Sequence, residues 1–163
     1  MASPFKIYRI LCSTPPELDA ERTLFESSLA AFGEKVTFPE QILFAGASFR
    51  DGFDASRHRG PAEANVRMCD FFVHIFGETW PGPAFRDFIQ LAIECIADPS
   101  KPMRQATVLF KNPAEADDKV RQLQQTLIEA GKCEVREFHD STELEEHLKQ
   151  LYANWHASVK ARP

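Results

Sequence analysis

The sequence predicts an α/β fold in which a parallel sheet is layered between helices. Three observations lead there. Strand-like apolar runs alternate with helical periodicity from end to end of the 163 residues, the pattern of successive βαβ units. One run, Phe71 to Phe76, is apolar without alternation, as expected of a strand buried on both faces. The first apolar run gives way at Cys12 to Ser13, Thr14 and Pro15, small residues suited to a strand-to-helix turn.

Taken in order, the first strand is expected near Lys6 to Cys12. Thr14 and Glu17 have capping-box spacing with Pro15 at the first helical position. Leu18, Phe25, Leu29 and Phe32 then form the stripe of the first helix, which Gly33 is expected to stop. The second strand is placed near Lys35 to Phe44; Pro39 within it points to an edge position or a bulge. Ala45 to Arg59 lacks periodicity and reads as a long loop. Pro61 is expected to open a second helix through about Met68, followed by the third strand at Phe71–Phe76. After the break at Gly77 to Pro83, a third helix is predicted from about Ala84 to Ala97, with Phe85, Phe88, Ile89, Ala92, Ile93 and Ile96 on a broad apolar face. A fourth strand is expected near Gln105 to Phe110. Asn112, Pro113 and Glu115 read as the cap of a fourth helix ended by Gly131. A fifth strand, near Glu134 to Phe138, precedes a helix capped by Asp140 and Glu143. Five strands and about five helices in this order predict a flavodoxin-like three-layer sandwich, strand order 2-1-3-4-5, with right-handed crossovers.

The chain is long enough for a single domain, with its core between about residues 6 and 155. A composition of 44% hydrophobic and 26% charged residues is that of an ordinary globular protein, and no apolar run approaches the ~18 residues of a membrane span. The opening residues lack the apolar core of a secretory signal, which makes the cytoplasm the expected compartment. Cys12, Cys69, Cys95 and Cys133 are spaced for neither zinc nor a disulfide framework and read as buried thiols. A net charge of −5 argues against a broad nucleic-acid surface.

With strand order 2-1-3-4-5, ligands are expected in the crevice beyond the carboxyl ends of strands 1 and 3. The loop at Cys12 to Pro16 and that at Gly77 to Phe85 face it, with the 45–59 loop able to fold over both. Candidate groups are Ser13, Thr14, Glu78, Arg86 and Asp87, with Trp80 or Phe85 as a stacking surface and Arg50, Arg57 or Arg59 for phosphate. This set suits a nucleotide better than a metal. Each member also has a structural alternative: Glu78 as a solvated turn residue, Arg86 and Asp87 as helix caps, Trp80 packed beneath a loop. Dinucleotide and Walker-type glycine loops are absent, as is a Gly-x-Ser-x-Gly elbow. His74 reads as a hydrogen-bonded core residue, and His58, His139, His147 and His156 are scattered without metal-ligand spacing. The acidic residues of a phosphoaspartate receiver are also missing, since Ser13-Thr14 and Gly77 occupy the corresponding places.

Ile10-Leu-Cys-Ser-Thr followed by Glu17-Leu-Asp-Ala-Glu-Arg22, together with Cys69-Asp-Phe-Phe-Val-His-Ile-Phe-Gly77, resembles the TIR-like domains at the front of many bacterial multidomain signalling and defence proteins. Those typically show S-S-T-x-x-D-L-x-x-E-R after strand 1 and C-D-x-F-V-x-I-x-G in strand 3. The resemblance implies a relationship to TIR and nucleoside deoxyribosyltransferase-like proteins, which bind NAD or nucleosides or cleave their N-glycosidic bonds. In catalytic relatives a glutamate early in helix 3 stabilises the ribosyl cation; an anion is needed because positive charge develops on the sugar in the transition state. The corresponding stretch here is Phe85-Arg86-Asp87-Phe88, without a glutamate, and an arginine beside a developing cation opposes it.

Three functional expectations follow. The first is a TIR-like signalling or defence module that associates with itself or with other signalling domains and senses an NAD-like nucleotide, with a degenerate catalytic site. The second is an active NAD glycohydrolase or nucleoside-processing enzyme using Glu78 or Asp87 as the carboxylate and Ser13 or Thr14 to hold ribose or phosphate. The third is a flavin-binding protein of flavodoxin-like fold. Helix 5, the 45–59 loop and exposed aromatic residues are the places to look for self-association.

Overall fold

The structure, a computed structural model, describes residues 4–48 and 59–163. Its elements are β1 (Lys6–Ser13), α1 (Asp19–Phe32), β2 (Ile42–Ser48), α2 (Arg59–Met68), β3 (Phe71–Phe76), α3 (Pro83–Ala97), β4 (Gln105–Lys111), α4 (Asp118–Ala130), β5 (Glu134–Phe138) and α5 (Ser141–Ala161). The strands form a five-stranded sheet in the order β2-β1-β3-β4-β5, every neighbouring pair parallel. This is the flavodoxin-like α/β arrangement expected. None of its helices is long and apolar enough to cross a membrane, among the described residues.

Alternation along the central strands sends side chains to two cores. Leu11, Phe72, Phe76, Val108 and Phe110 pack with α2, α3 and α4, where Val66, Phe85, Phe88, Val120 and Leu127 meet them. Ile10, Phe71, Val73, Ile75 and Leu109 pack with α1 and α5, against Phe25, Leu29, Leu148, Tyr152 and Trp155. Within the second core, Trp155 stacks on Phe71 (5.0 Å, 21°). The Tyr152 hydroxyl donates to the Phe25 carbonyl at 3.1 Å and lies 2.8 Å from Ser28 Oγ, joining α5 to α1.

Several boundaries differ from expectation. The residues expected to begin the second strand instead form a π-helical turn, Gly33–Thr37, and a 3-10 turn, Phe38–Glu40. Gly33 does not stop the helix, because its φ is −57°, right-handed. Its missing side chain instead makes room for the Phe38 ring, which a Cβ would meet at 3.1 Å. Pro39 sits in the 3-10 turn, where its fixed φ is compatible, and β2, an edge strand as foreseen, begins only at Ile42. Ala45 to Ser48, expected in a loop, are strand residues, and at Gly46 the strand passes close under α1, where a Cβ would come within 2.7 Å of Leu29 Cδ2. The helix expected to open at Pro61 already includes Arg59.

The expected capping box at Thr14 does not form. A turn closed by the Leu18 N–H on the Pro15 carbonyl (3.1 Å) delays α1 to Asp19. Residues Pro113–Glu115 likewise form a separate 3-10 turn, and α4 starts after Asp117. Asp140 does cap α5, accepting from the Glu143 N–H at 2.9 Å.

The two sequence motifs meet physically. Leu18 lies over Gly77, where a Cβ would approach Leu18 Cδ2 to 3.1 Å, so the glycine ending β3 admits the start of α1. At the opposite end, the Asp70 N–H donates to the Arg9 carbonyl (2.8 Å), Asp70 Oδ2 accepts from the Arg9 N–H (2.8 Å), and the Asp70 carbonyl accepts from the Arg104 N–H (2.7 Å). The middle of β1 is thereby pinned to the segments that enter β3 and β4. Gly77→Val is expected to destabilise the fold by about 1–3 kcal/mol through overpacking. Leu18→Ala in the same chain should recover part of that loss, and urea midpoints of both single variants and the double variant will measure the coupling.

Candidate functional site

β1 leads into α1 on one face of the sheet and β3 into α3 on the other, so their carboxyl ends form the topological switch point, the place where open α/β sheets collect ligands. Ser13 and Thr14 stand there. Ser13 is opposite His74 in the β1–β3 register, and its Oγ lies 3.0 Å from His74 Nδ1. All three side chains are buried. The imidazole meets the ring of Phe76 edge-on (4.2 Å, 63°) and that of Phe85 at a tilt (5.1 Å, 39°). His74 is therefore the hydrogen-bonded core residue expected from the sequence, and strand register adds that its partner is the candidate ligand residue Ser13.

Two polar atoms of these residues, Thr14 Oγ1 and His74 Nε2, are buried without a hydrogen-bond partner. Such atoms cost about 1–3 kcal/mol each relative to satisfied ones. Burial also pushes the His74 pKa down to about 3, so the ring is neutral near pH 7 and offers one donor and one acceptor.

The remaining candidates are drawn elsewhere. Glu78 Oε1 accepts from Asn112 Nδ2 at 2.9 Å, and the Glu78 carbonyl accepts from the Asp117 N–H at 2.8 Å. Asp117 Oδ2 in turn accepts from the Trp80 N–H at 2.8 Å. These bonds latch the β3–α3 loop to the loop before α4. Trp80 lies parallel to Phe76 (6.3 Å, 7°), and with Arg86 it lines a groove shared with α4. Asp87 accepts from Arg59 Nη2 at 2.6 Å and lies 3.8 Å from Arg86 Nε, while Arg59 Nε is also 3.8 Å from Glu63. That cluster ties the start of α2 to the start of α3. Arg50 and Arg57 lie outside the described residues.

A separate cavity of about 420 Å³ lies between α1 and the start of α5. Its ion pair, Lys111 Nζ to Glu21 Oε1 at 2.8 Å, joins the end of β4 to α1, which gives the acidic residues of the Glu17–Arg22 motif a structural task. Arg22 pairs with Asp19 in the same turn. All four cysteines are free thiols, and burial raises the Cys69 pKa to about 12, so that sulfur is a protonated packing group. No cluster of metal-ligating side chains occurs among the described residues.

His74 gives the fold a specific acid sensitivity. Its folded pKa of about 3 lies below the ordinary 6.5, so the unfolded chain binds the extra proton between these values. The stability linked to the neutral ring is intact above pH 6.5 and is lost as pH falls toward 3, by up to about 1.4 kcal/mol per pH unit. In denaturant titrations between those limits, His74→Gln should show a shallower loss of stability than the parent chain, the carboxylates contributing alike to both. Parallel curves would place the proton uptake elsewhere. Compared with known families and curated proteins, the chain matches no family model and shows no significant match to a curated sequence.

Proposed function

We propose that this protein is a TIR-like signalling or defence module that works by binding an NAD-like nucleotide and by associating with other protein domains, without cleaving the glycosidic bond. The sequence resemblance supplies the class. The observation that carries the non-catalytic reading is the commitment of both candidate carboxylates: Glu78 is held by Asn112, and Asp87 by Arg59. Neutral hydrogen-bonding groups, the buried Ser13, Thr14 and His74, stand at the β1–β3 switch point instead. Neutral groups can hold a ribose hydroxyl, but they do not stabilise the positive charge that develops on the sugar during cleavage.

On this reading Glu78→Gln weakens a loop latch rather than a reaction. The purified protein, incubated with NAD, NADP and nucleosides at low and high protein concentration, is expected to release no base on chromatography. NAD should raise its thermal midpoint, with stabilisation reaching about 2.7 kcal/mol at a hundredfold excess over the dissociation constant, and Thr14→Val should abolish the effect. Base release lost in Glu78→Gln or Asp87→Asn would overturn the proposal in favour of a glycosidic-bond enzyme. Absence of both release and stabilisation would remove the nucleotide and leave the association half, which concentration-dependent light scattering tests. A flavin spectrum in the purified protein would instead support the flavodoxin-like alternative.

A further inference from the structure

The groove between α3 and α4 is separate from the β1–β3 switch point, and its chemistry is different. It encloses about 500 Å³ and is lined by Trp80, Pro83 and Arg86 on one side and by Lys119, Gln122, Leu123 and Thr126 on the other, a volume typical of small-ligand sites. Although the chain carries a net charge of −5, both charged residues of this lining are cations and no carboxylate lines it. Lys119 has no carboxylate partner among the described residues. Arg86 is exposed and keeps only the 3.8 Å approach to Asp87, which leaves its guanidinium available to a stronger anion.

The α4 residues are placed by helix geometry. Lys119, Gln122 and Thr126 follow one another at intervals of three and four residues, which puts them on one stripe, and Leu123 beside them anchors that stripe in the core. On the α3 side, the indole lies parallel to the buried Phe76 ring (6.3 Å, 7°), and the backbone that carries it is held by hydrogen bonds. The Trp80 backbone N–H donates to Asp117 Oδ2 (2.8 Å), the Asp117 backbone N–H to the Glu78 carbonyl (2.8 Å), and Asn112 Nδ2 to the Glu78 carboxylate (2.9 Å). A fixed aromatic ring beside two cations avoids the ordering cost that a mobile loop would incur on binding.

We infer that this groove binds a free nucleoside monophosphate, its planar base stacked on Trp80 and its phosphate held between Arg86 and Lys119. A flat indole suits any aromatic base without reading its edges. A guanidinium and an ammonium together match a phosphate in geometry and charge. Gln122 adds an amide that can donate and accept. The inference does not depend on the β1–β3 switch point, and its test separates the two.

AMP titrated into the whole chain is the probe, followed by tryptophan fluorescence. The chain has only two tryptophans, and Trp155 is fully buried in the opposite core, so Trp80 is the responsive reporter. A saturable change is expected, with affinity reduced about tenfold or more by Lys119→Ala and by Arg86→Ala, each equivalent to losing a charge-assisted bond. Both side chains are exposed, which keeps the variants folded. Thr14→Val should bind AMP as the parent does, and adenosine should bind at least about tenfold more weakly than AMP. No saturable change, or affinity unaltered in both charge variants, overturns the inference. AMP binding lost in Thr14→Val but kept in Lys119→Ala also overturns it and assigns the nucleotide to the β1–β3 switch point. Equal binding of adenosine and AMP removes the phosphate contact and with it the proposed ligand class.

Discussion

Every residue of β3 is buried, and the rest of the structure answers to that constraint. A parallel strand covered on both faces needs helices above and below. Here α2, α3 and α4 cover one face, and α1 and α5 the other. The same burial determines what polar groups in the strand can do. His74 is kept neutral because charging it inside the sheet costs too much, and its hydrogen bond must come from the neighbouring strand, where Ser13 supplies it. The strand ends in a glycine because the first turn toward α1 presses Leu18 onto it. Core and switch point are thus consequences of one buried strand.

At the carboxyl ends of the sheet, the loops divide their loyalties. The turn after β1 stays with β3 through Ser13 and Leu18. The loop after β3 turns away, latched through Glu78, Trp80 and Asp117 to the segment before α4. Polar groups that share one stretch of sequence therefore serve two places, a neutral cluster between β1 and β3 and a cationic, aromatic groove between α3 and α4. Glu78 is tied to an asparagine whose own backbone is left-handed (φ 46°), and that bond fixes the loop after β3 against the end of β4.

The motif residues that carry the family resemblance have physical employment of the same kind. Asp70 pins the middle of β1 to the beginnings of β3 and β4. Glu21 reaches Lys111 at the end of β4, and Asp19 pairs with Arg22 within its own turn. Such contacts stabilise the scaffold, so the motifs can mark a fold without marking an activity.

The sequence by itself determined the architecture. Apolar period separated helices from strands, the unbroken run at Phe71–Phe76 identified the central strand, and residues such as Asp140 marked a true helix start. These signals are local, and local propensity agrees with them. It misplaced β2, because Val36 and Phe38 look like strand residues while Ala45 to Ala47 do not; packing of Phe38 over Gly33 and of Leu29 over Gly46 decided otherwise. It placed Ser13 and Thr14 at the switch point but grouped Glu78, Trp80, Arg86 and Asp87 with them, and it did not bring Lys119 beside Trp80 and Arg86. Only the tertiary structure decided those partnerships, because which way a loop side chain points depends on hydrogen bonds to residues such as Asn112 and Asp117, more than thirty positions away, and sequence spacing holds no record of that direction.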